Sequence, residues 1–429
     1  GGYDGTLVEN FAIGSSVTIA DNSLSFTPTS TLSYDSYYYV TLPSGVITNM
    51  AGESYVGTAY SFKVPLQTYT LWGWGNSVDQ NGQLTGTPTN PTPSPTESSW
   101  GQSWVKVSGA KHILLSKNDG TLWSVGGNEY GQLGQNSVSS PGNMGLSSPV
   151  QIPGTTWSAT EFGAGLYANI AKKTDGTLWS WGNNSNDGRL GLNNTTQYSS
   201  PVQIPGTTWG EVVTQGDGCT AIKTDGTLWV WGLNERGQLG QNNNTSYSSP
   251  KQVGSETTWT SLIHTGPPGI PNNGGIKTDG TLWLWGRNES GSTGYNDRVA
   301  RSSPVQVPGT TWRNASSGRG QTLATRTDGT LWSWGANTYG QLGINNRTTM
   351  SSPVQLPGTT WSTGYVGEDQ AYATKTDGTI WSWGRNRYYS GGHGNTWPSG
   401  MYSSPVQVPG TWHTVMEIAS EGAFAFKSS

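Results

Sequence analysis

Four histidines and one cysteine are the side chains in this sequence best suited to metal binding or nucleophilic chemistry near neutral pH. The histidines stand far apart, and none has the spacing of a metal site such as H-E-x-x-H. They are His112, His264, His393 and His413. Cys219 has no partner for an intrachain disulfide and no neighbouring base to activate its thiol. The sequence therefore predicts no metal, no cofactor and no thiol nucleophile, and it favours a small buried strand residue at Cys219.

A carboxylate recurs in one setting from residue 68 onward, the sequence Asp-Gly-Thr. It occurs six times, at Asp119, Asp175, Asp225, Asp279, Asp328 and Asp377. A pair of carboxylates can serve as acid and base in glycoside hydrolysis. Asp-Gly between two β-rich runs, however, is a strong signal for a tight turn. Because six equivalent sites would not all be catalytic, we predict that these aspartates form turns and that the chain is not an enzyme.

The composition restricts the classes of partner. Charged residues make up only 11% of the chain, against about 25% in ordinary soluble domains. The net charge of -4 gives no general attraction to nucleic acid or to an anionic membrane, and no apolar run approaches the ~20 residues that span a bilayer. We therefore expect no nucleic-acid partner and no membrane insertion. The 62 glycines and 22 tryptophans favour many short strands joined by turns rather than a disordered chain.

A block of the form Leu-Trp-x-Trp-Gly sets the organisation of the chain. It recurs seven times at intervals of 49 to 56 residues. The blocks begin at Leu71, Leu122, Leu178, Leu228, Leu282, Leu331 and Ile380. A period near 50 built from strand-like pieces is typical of β-propeller blades. The two tryptophans of a block, such as Trp179 and Trp181, share one strand face, so we predict that they pack between blades rather than bind sugars or bases.

Each unit divides into four short strand-like runs, as a propeller blade does. Only six Asp-Gly turns accompany the seven Leu-Trp strands, and the difference predicts how the ring closes. Residues 422–427 resemble the strand that normally precedes the turn, and residues 69–74 resemble the strand that normally follows it. We predict that these two runs pair and complete one shared blade, which leaves no free sheet edge at the closure. The predicted propeller spans residues 68–429.

One repeat unit carries a family resemblance, in the run Ala221-Ile-Lys-Thr-Asp-Gly-Thr-Leu-Trp-Val-Trp-Gly-Leu-Asn-Glu-Arg-Gly-Gln-Leu-Gly240. It resembles the repeat of the regulator of chromosome condensation family, and the runs Tyr130-Gly-Gln-Leu-Gly134 and Tyr339-Gly-Gln-Leu-Gly343 repeat its end. The resemblance implies a seven-bladed β-propeller of four-stranded blades. The Ser-Ser-Pro-Val-Gln and Pro-Gly-Thr-Thr-Trp elements at residues 199–209 resemble the bacterial and viral branch of that family.

Residues 1–64 have a different pattern. Val17-Thr-Ile-Ala and Ser23-Leu-Ser-Phe alternate apolar and polar residues, as half-buried strands do. Together with residues 39–52 they resemble the later part of a bacterial Ig-like domain, whose complete sandwich usually needs ~100 residues. We therefore predict an all-β chain in which a partial Ig-like β-sandwich segment precedes the propeller. Residues 65–67 are a short linker, and the start at Gly1 suggests a processed chain or a piece of a longer one.

Departures from the repeat are the best candidates for a binding site, because every blade has the same packing needs. The first is the proline-rich run 85–99, interpreted as a stiff extended arm, and the second is residues 265–275. The third is residues 385–402, where arginines and aromatic residues together are typical of an interface hot spot or a glycan platform. The candidate binding residues are Arg385, Arg387, Tyr388, Tyr389, His393, Trp397 and Tyr402, with Arg287, Tyr295, Arg298 and Arg301 from a neighbouring unit.

These observations favour a non-catalytic binding or adhesion module that recognises a protein or a surface glycan through the rim loops of the propeller. Ig-like modules typically act as spacers in surface and virion proteins, so the resemblance implies an extracellular, cell-surface or virion location. It also suggests membership in a larger assembly. Three alternatives stay open: a passive structural or decoration component, a carbohydrate-active enzyme, and a nucleotide-exchange regulator.

Overall fold

The structure is a computed structural model in which the chain forms two compact units, Gly1–Gln67 and Thr68–Ser429. It describes residues 17–20, 23–26, 37–41, 59–63, 68–76, 92–101, 103–109, 111–139, 145–185, 187–265, 272–318, 320–393, 400–419 and 421–428. In the first unit, strands β1 (Val17–Ala20) and β2 (Ser23–Phe26) form one antiparallel pair, and β3 (Tyr37–Thr41) and β4 (Ala59–Lys63) form another. Both pairs fall on runs that the sequence predicts to be extended.

The second unit begins with β5 (Tyr69–Asn76) and β6 (Thr92–Glu97) and ends with β32 (Thr414–Ala419) and β33 (Glu421–Ser428), and these four strands form blade 1. Blade 2 has β7 (Trp104–Gly109), β8 (His112–Lys117), β9 (Leu122–Gly126) and β10 (Leu146–Ile152). Blade 3 has β11 (Trp157–Ala164), β12 (Ala168–Lys173), β13 (Leu178–Gly182) and β14 (Tyr198–Ile204). Blade 4 has β15 (Trp209–Gln215), β16 (Gly218–Lys223), β17 (Leu228–Gly232) and β18 (Tyr247–Gln252).

Blade 5 has β19 (Trp259–Leu262), β21 (Asn273–Lys277), β22 (Leu282–Gly286) and β23 (Arg301–Gln306), and the two-residue strand β20 (His264–Thr265) follows β19. Blade 6 has β24 (Trp312–Ser317), β25 (Gln321–Arg326), β26 (Leu331–Gly335) and β27 (Met350–Gln355). Blade 7 has β28 (Trp361–Val366), β29 (Gln370–Lys375), β30 (Ile380–Arg385) and β31 (Met401–Val408), with one 3-10 helix at Arg387–Tyr389. Among the described residues, no helix is long and apolar enough to cross a membrane.

The described strands thus form seven four-stranded antiparallel blades, which confirms the predicted fold class. The first strands of the blades contact one another in the cyclic order β7, β11, β15, β19, β24, β28, β32 and back to β7. They therefore surround the axis of a closed ring. In blade 1, β33 pairs antiparallel with β5, and Gly422 lies opposite Gly75 and Lys427 opposite Thr70. Both ends of the propeller sequence thus share one sheet.

The hydrophobic core is divided into seven clusters in the described residues, one at each junction between neighbouring blades. In the cluster between blades 3 and 4, Leu178 and Ile204 pack against Trp209 and Trp231, and all four side chains are buried. The indole Nε1 of Trp231 also donates a hydrogen bond to the carbonyl oxygen of Arg189 in the preceding blade, at 3.0 Å. The predicted packing of this tryptophan between blades is therefore confirmed.

Two of the three departures from the repeat turn out to contribute ordinary strands. Residues 92–97, part of the predicted proline-rich arm, form β6 and pair with β5, so that part of the interpretation is wrong. Proline is tolerated there because β6 is an outer edge strand that need not donate every ladder hydrogen bond. Residues 273–275 belong to β21, the second strand of blade 5. The remainder of both segments lies largely outside the described residues.

Candidate functional site

The antiparallel order of each blade places its connections at two opposite ends of the propeller. The connections from the first to the second strand and from the third to the fourth lie at one end, which we name the loop end. In blade 4 these connections are residues 216–217 and 233–246. The Asp-Gly turns and the connections between blades lie at the other end, which we name the turn end. The two ends differ sharply in how far they repeat.

The turn end repeats one hydrogen-bond pattern. In blade 4, Asp225 Oδ1 accepts from the backbone N–H and the hydroxyl of Thr227, at 3.0 and 2.6 Å, and Thr227 Oγ1 accepts from the indole N–H of Trp229 at 2.8 Å. The hydroxyl hydrogen bond from Thr227 is the main cause that lowers the pKa of Asp225. The same pattern recurs at Asp119, Asp175, Asp279, Asp328 and Asp377. The turn role predicted for these aspartates is confirmed.

A cation beside each turn is also fixed by packing. The ammonium group of Lys223 lies 4.7 Å from the ring of Trp209 and 4.3 Å from the ring of Trp229. Equivalent pairs of indole rings hold Lys117, Lys173, Lys277, Arg326, Lys375 and Lys427. The recurring charged and hydroxyl side chains of the turn end therefore form contacts within the fold and stabilise it.

The loop end has a repeated frame with variable side chains on it. In blade 4 the side chain of Asn234 accepts from the backbone N–H of Leu239 at 2.9 Å and donates to the carbonyl oxygens of Asn243 and Thr245. Gly237 has a φ of 74°, and a Cβ atom there would lie 2.7 Å from Cα of Ser302 in blade 5. This packing fixes the loop backbone but leaves the residues beside the glycine free to differ.

At the blade junctions of the loop end that the structure describes, one residue from each blade lies at the junction, and we call the two the junction pair. One precedes the loop glycine of its blade. The other belongs to the next blade. Its carbonyl oxygen accepts a hydrogen bond from the backbone N–H at the end of the third strand of that same blade. At four junctions both members are described, and the pairs are Tyr130 with Tyr167, Asp187 with Asp217, Ser290 with Gly320, and Tyr339 with Asp369. The four pairs differ in size, charge and aromatic character.

The pair between blades 2 and 3 is aromatic. The rings of Tyr130 and Tyr167 meet edge to face with their centroids 4.9 Å apart. Lys111 donates to the hydroxyl of Tyr167 at 2.8 Å and lies 4.9 Å from the centre of its ring. All three side chains are half-buried, so part of each faces solvent. A rigid group of aromatic rings and a cation is typical of the centre of a protein interface.

The other filled junctions hold ion pairs. Between blades 3 and 4, Arg189 bridges Asp187 at 2.9 Å and Asp217 at 2.5 Å. Between blades 6 and 7, Arg385 pairs with Asp369 at 3.1 Å and lies 4.7 Å from the centre of the Tyr339 ring. Arg189 is buried and its two aspartates are half-buried, as are Arg385 and Asp369, and both arrangements cross from one blade to the next.

Part of the predicted site lies at the loop end. Arg385 belongs to the junction just described, and Arg287 donates to Glu289 in the blade 5 loop. Arg387, Tyr388 and Tyr389 form the 3-10 helix, which packs against β5, β6 and β33 of blade 1. Tyr389 has a φ of 63° at the position where other loops have glycine.

Of the remaining predicted residues, Arg301 and Tyr402 lie in the outer strands β23 and β31, and Tyr295, Arg298 and His393 lie in the connections that lead into those strands. The hydroxyl of Tyr295 lies within hydrogen-bonding distance of the carbonyl oxygens of Leu284 and Val305, to either of which it can donate, and burial raises its pKa. Arg301 pairs with Asp297 at 2.6 Å. His393 Nε2 lies 3.0 Å from Ser382 Oγ, and its ring meets the ring of Tyr402 edge to face. Arg298 is exposed, and Trp397 lies outside the described residues. The structure thus divides the predicted set between the loop end and the rim.

Sequence reasoning missed Lys111, Tyr167 and Arg189, and it noted Tyr130 and Tyr339 only as members of the repeat. Comparing the residues that precede the loop glycines would have shown that they differ from blade to blade. A structure was still needed to pair them, because the second member of each pair belongs to a different repeat unit.

The surroundings of two of the histidines and of the cysteine shift their pKa values away from the ordinary range. Burial lowers the pKa of His112 to about 4, although Asn169 Oδ1 lies 2.6 Å from its Nε2. Desolvation by the surrounding protein lowers the pKa of His264 to about 4, although part of the residue is exposed to solvent. The centre of its ring lies 5.7 Å from that of the Tyr365 ring. Burial raises the pKa of Cys219 to about 12, which keeps it a thiol, as the sequence predicts. No described group of three or more His, Cys, Asp or Glu residues is arranged to hold a metal ion.

The ring of blades, the interblade core and the shared closing sheet define this protein as a seven-bladed β-propeller. Residues 70–426 match the RCC1-like domain, and the chain belongs to that family. Residues 6–64 match a bacterial Ig-like domain. Both predicted resemblances are thereby confirmed at the level of the family.

Solved structures support the fold. The propeller is similar to yeast RCC1 (Prp20) in a complex with Kap60, with a TM-score of 0.71 and 18% identity over 84% of this chain and 89% of that chain. Human WBSCR16 gives a TM-score of 0.69 and 20% identity over 85% of this chain and 99% of that one. At these identities the likeness carries the fold alone.

Curated relatives match a shorter stretch. The X-linked retinitis pigmentosa GTPase regulator of the dog is 31% identical over 96 residues, and its human counterpart is 29% identical over the same length. The matched stretch is 22% of this chain and spans 9% of the length of either relative.

Proposed function

We propose that this chain is a non-catalytic binding module that recognises a protein partner through the loop end of its propeller. One observation carries the proposal. The turn end repeats the same residues in six blades, whereas the junction pairs at the loop end differ wherever both members are described. Since all blades have the same packing needs, the fold does not require this variety, and a partner that contacts several blades would.

The chemistry of the loop end favours a protein as the partner. Tyrosine and aspartate fill six of the eight described junction-pair positions, and Arg189 and Arg385 lie against the aspartates. Tyrosine and arginine are enriched at protein-binding hot spots. The ion pairs hold the two arginines in place before binding, which reduces the entropy lost when a partner docks. Among the relatives, the yeast propeller has been solved bound to Kap60, and a second structural study of it describes its binding to Gsp1p and histones.

The bacterial Ig-like domain supports the location that we propose. The match over residues 6–64 places a module typical of surface proteins directly before the propeller. We infer that the chain comes from the bacterial or viral branch of its family and is exposed outside the cell, on a cell surface or a virion. The Ig-like segment would then act as a spacer that presents the propeller.

A binding assay with matched variants tests the proposal. The purified, labelled chain is added to a panel of bacterial cells and to a glycan array. One variant combines Glu129→Arg, Glu235→Arg and Thr338→Arg, which are all exposed at the loop end. Its control combines Thr155→Arg, Thr207→Arg and Thr310→Arg, which are exposed at the turn end. We expect the loop-end variant to lose binding to cells and the control to keep it.

Other outcomes would overturn the proposal in distinct ways. Binding that survives protease treatment of the cells, or that appears on the array, would make a glycan the partner. Equal loss in both variants would remove the loop end as the binding surface. Self-association without any outside ligand would favour a structural decoration, and release of reducing sugar from a polysaccharide would reveal an enzyme. Faster nucleotide release from a small GTPase would favour the activity for which the curated relatives are named.

A further inference from the structure

The junction between blades 5 and 6 is the one described junction pair without a bulky side chain. Ser290 and Gly320 stand where the other pairs have tyrosine or aspartate. Between them lies a cavity of about 20 Å³. That volume exceeds the roughly 10–15 Å³ that holds one water molecule. Because the other described junction pairs carry tyrosine or aspartate side chains at these positions, the fold does not require a cavity between blades 5 and 6.

The walls of the cavity are polar. Its lining residues are Asn272, Arg287, Glu289, Ser290, Ser292, Gly318 and Gly320. Asn272 is buried and donates to Ser292 Oγ at 2.7 Å, which fixes the inner wall. A Cβ atom at Gly320 would lie 3.3 Å from Ser290 Oγ, so even alanine there would narrow the opening.

The charge at the rim is positive. Glu289 accepts a hydrogen bond from Arg287 and lies 4.0 Å from Arg236, a residue of the neighbouring blade 4 loop. The hydrogen bond from Arg287 lowers the pKa of Glu289, so this carboxyl is ionised at neutral pH. Arg287 and Glu289 line the cavity and Arg236 lies behind Glu289, so these three side chains together carry one net positive charge.

We propose that this cavity is the subsite that receives one carboxylate oxygen of an aspartate or glutamate side chain of the bound protein. The inference rests on the proposed function and names the chemistry at one point of that interface. A guanidinium group has five N–H donors, and the hydrogen bond to Glu289 uses one of them, so Arg287 can also contact an incoming carboxylate. The hydroxyl group of Ser290 offers a further donor at the cavity wall, whereas that of Ser292 already donates to the carbonyl oxygen of Arg287.

A titration of the full chain tests the subsite without knowledge of the partner. The probe is N-acetyl-aspartate N-methylamide, and the neutral asparagine analogue of the same shape is its control. We expect saturable shifts in the backbone amide NMR signals of Ser290, Ser292 and Gly320, with affinity at least about tenfold weaker for the control, a difference near 1.4 kcal/mol. Equal shifts with both compounds, or none with either, would overturn the proposal.

Variants locate the effect. Ser290→Tyr installs the residue that the chain already carries at Tyr130 and Tyr339, and we expect it to fill the cavity and abolish the shifts. Arg287→Gln should weaken binding at least about tenfold by removing the charge, and it decides the question if the tyrosine variant fails to fold. Thr207→Ala, exposed at the turn end, is the control and should bind the probe as the parent does. Unchanged binding by Arg287→Gln would refute the assignment.

The two proposals fail separately. An absent probe response, combined with loss of cell binding in the loop-end variant, would overturn the subsite and leave the proposed function standing. A normal probe response, combined with cell binding that the loop-end variant retains, would overturn the proposed function instead.

Discussion

The turn end and the loop end of this propeller are built from the same seven blades under opposite constraints. At the turn end, Asp225, Thr227 and Trp229 form a hydrogen-bonded chain that recurs in six blades, and Lys223 lies between two indole rings. At the loop end, asparagine and glycine hold the backbone, and the side chains beside them vary. Packing therefore fixes one end of each blade and leaves the other open to selection by a partner.

The comparison also separates two causes of departure from a repeat. Tyr389 occupies a glycine position in the loop of blade 7, but that loop packs against blade 1, whose outer strand is β6 instead of the usual Ser-Ser-Pro-Val-Gln strand. Its departure accompanies the different neighbour that ring closure provides. Ser290 and Gly320 have no unusual neighbouring blade, so their departure points more directly to a ligand.

Loss of an interblade indole should have the largest effect. Trp231→Ala removes a fully buried ring and its hydrogen bond to Arg189, and we expect a loss of about 3–5 kcal/mol in the free energy of unfolding. Urea denaturation followed by circular dichroism measures it. Trp231→Phe is the control, because it keeps most of the apolar contact and loses the hydrogen bond. An unchanged denaturation midpoint in the alanine variant would contradict the division of the core into interblade clusters.

Much of the fold was predictable because the repeat makes its physical signals redundant. The seven Leu-Trp blocks gave the blade number, and the single missing Asp-Gly turn predicted that residues 422–427 pair with 69–74, which lie side by side in β33 and β5. The strand at Thr92–Glu97 was missed because two of its six residues are proline and none is strongly apolar. Its register places Pro95 where blade 4 has Pro250, which only the pairing reveals.

The candidate site was less predictable for a geometric reason. Tyr130 and Tyr167 are 37 positions apart in the sequence and belong to different repeats, yet their rings touch. Composition alone drew attention to clustered arginine and aromatic residues such as Tyr295 and Tyr402. Tyr295 instead hydrogen bonds within its own blade, and Tyr402 packs on the rim against His393.

A charge near the axis gives the next largest effect. Burial raises the pKa of Glu211 to about 7, the nearby Glu161 adds to the rise, and the Leu262 N–H and Lys106 oppose it. Since the ordinary value is 4.5, the contribution of Glu211 to stability is complete below pH 4.5 and is lost as the pH rises through 7.

Glu211→Gln keeps an acceptor for the Leu262 N–H and removes the charge. We expect it to stabilise the chain at pH 8 by on the order of 2 kcal/mol and to change little at pH 4. Urea denaturation at the two pH values measures the difference. If the difference in the free energy of unfolding between Glu211→Gln and the parent were the same at pH 8 and pH 4, the Glu211 carboxylate would be adequately solvated in the folded ring.

In blade 6 a threonine can be replaced by alanine at the turn end, at Thr330, and at the loop end, at Thr338. Thr330→Ala, at the turn end, removes the hydroxyl that donates to Asp328 at 2.7 Å and accepts from the indole N–H of Trp332 at 2.9 Å. We expect a loss of about 1–2 kcal/mol, since the buried hydroxyl and its partners lose their hydrogen bonds. Thr330→Ser, which keeps the hydroxyl, should recover most of the loss in the same denaturation assay. No difference between alanine and serine would remove the hydrogen-bonded chain as the reason for the repetition.

Thr338→Ala, at the loop end of the same blade, should have the smallest effect. Thr338 is exposed beside Asn337, whose side chain already holds the loop through Leu342, Asn346 and Thr348. We expect the free energy of unfolding to change by less than about 0.5 kcal/mol. A loss as large as that of Thr330→Ala would mean that the loop tips carry part of the stability, and their variety would then need a structural explanation in place of a partner.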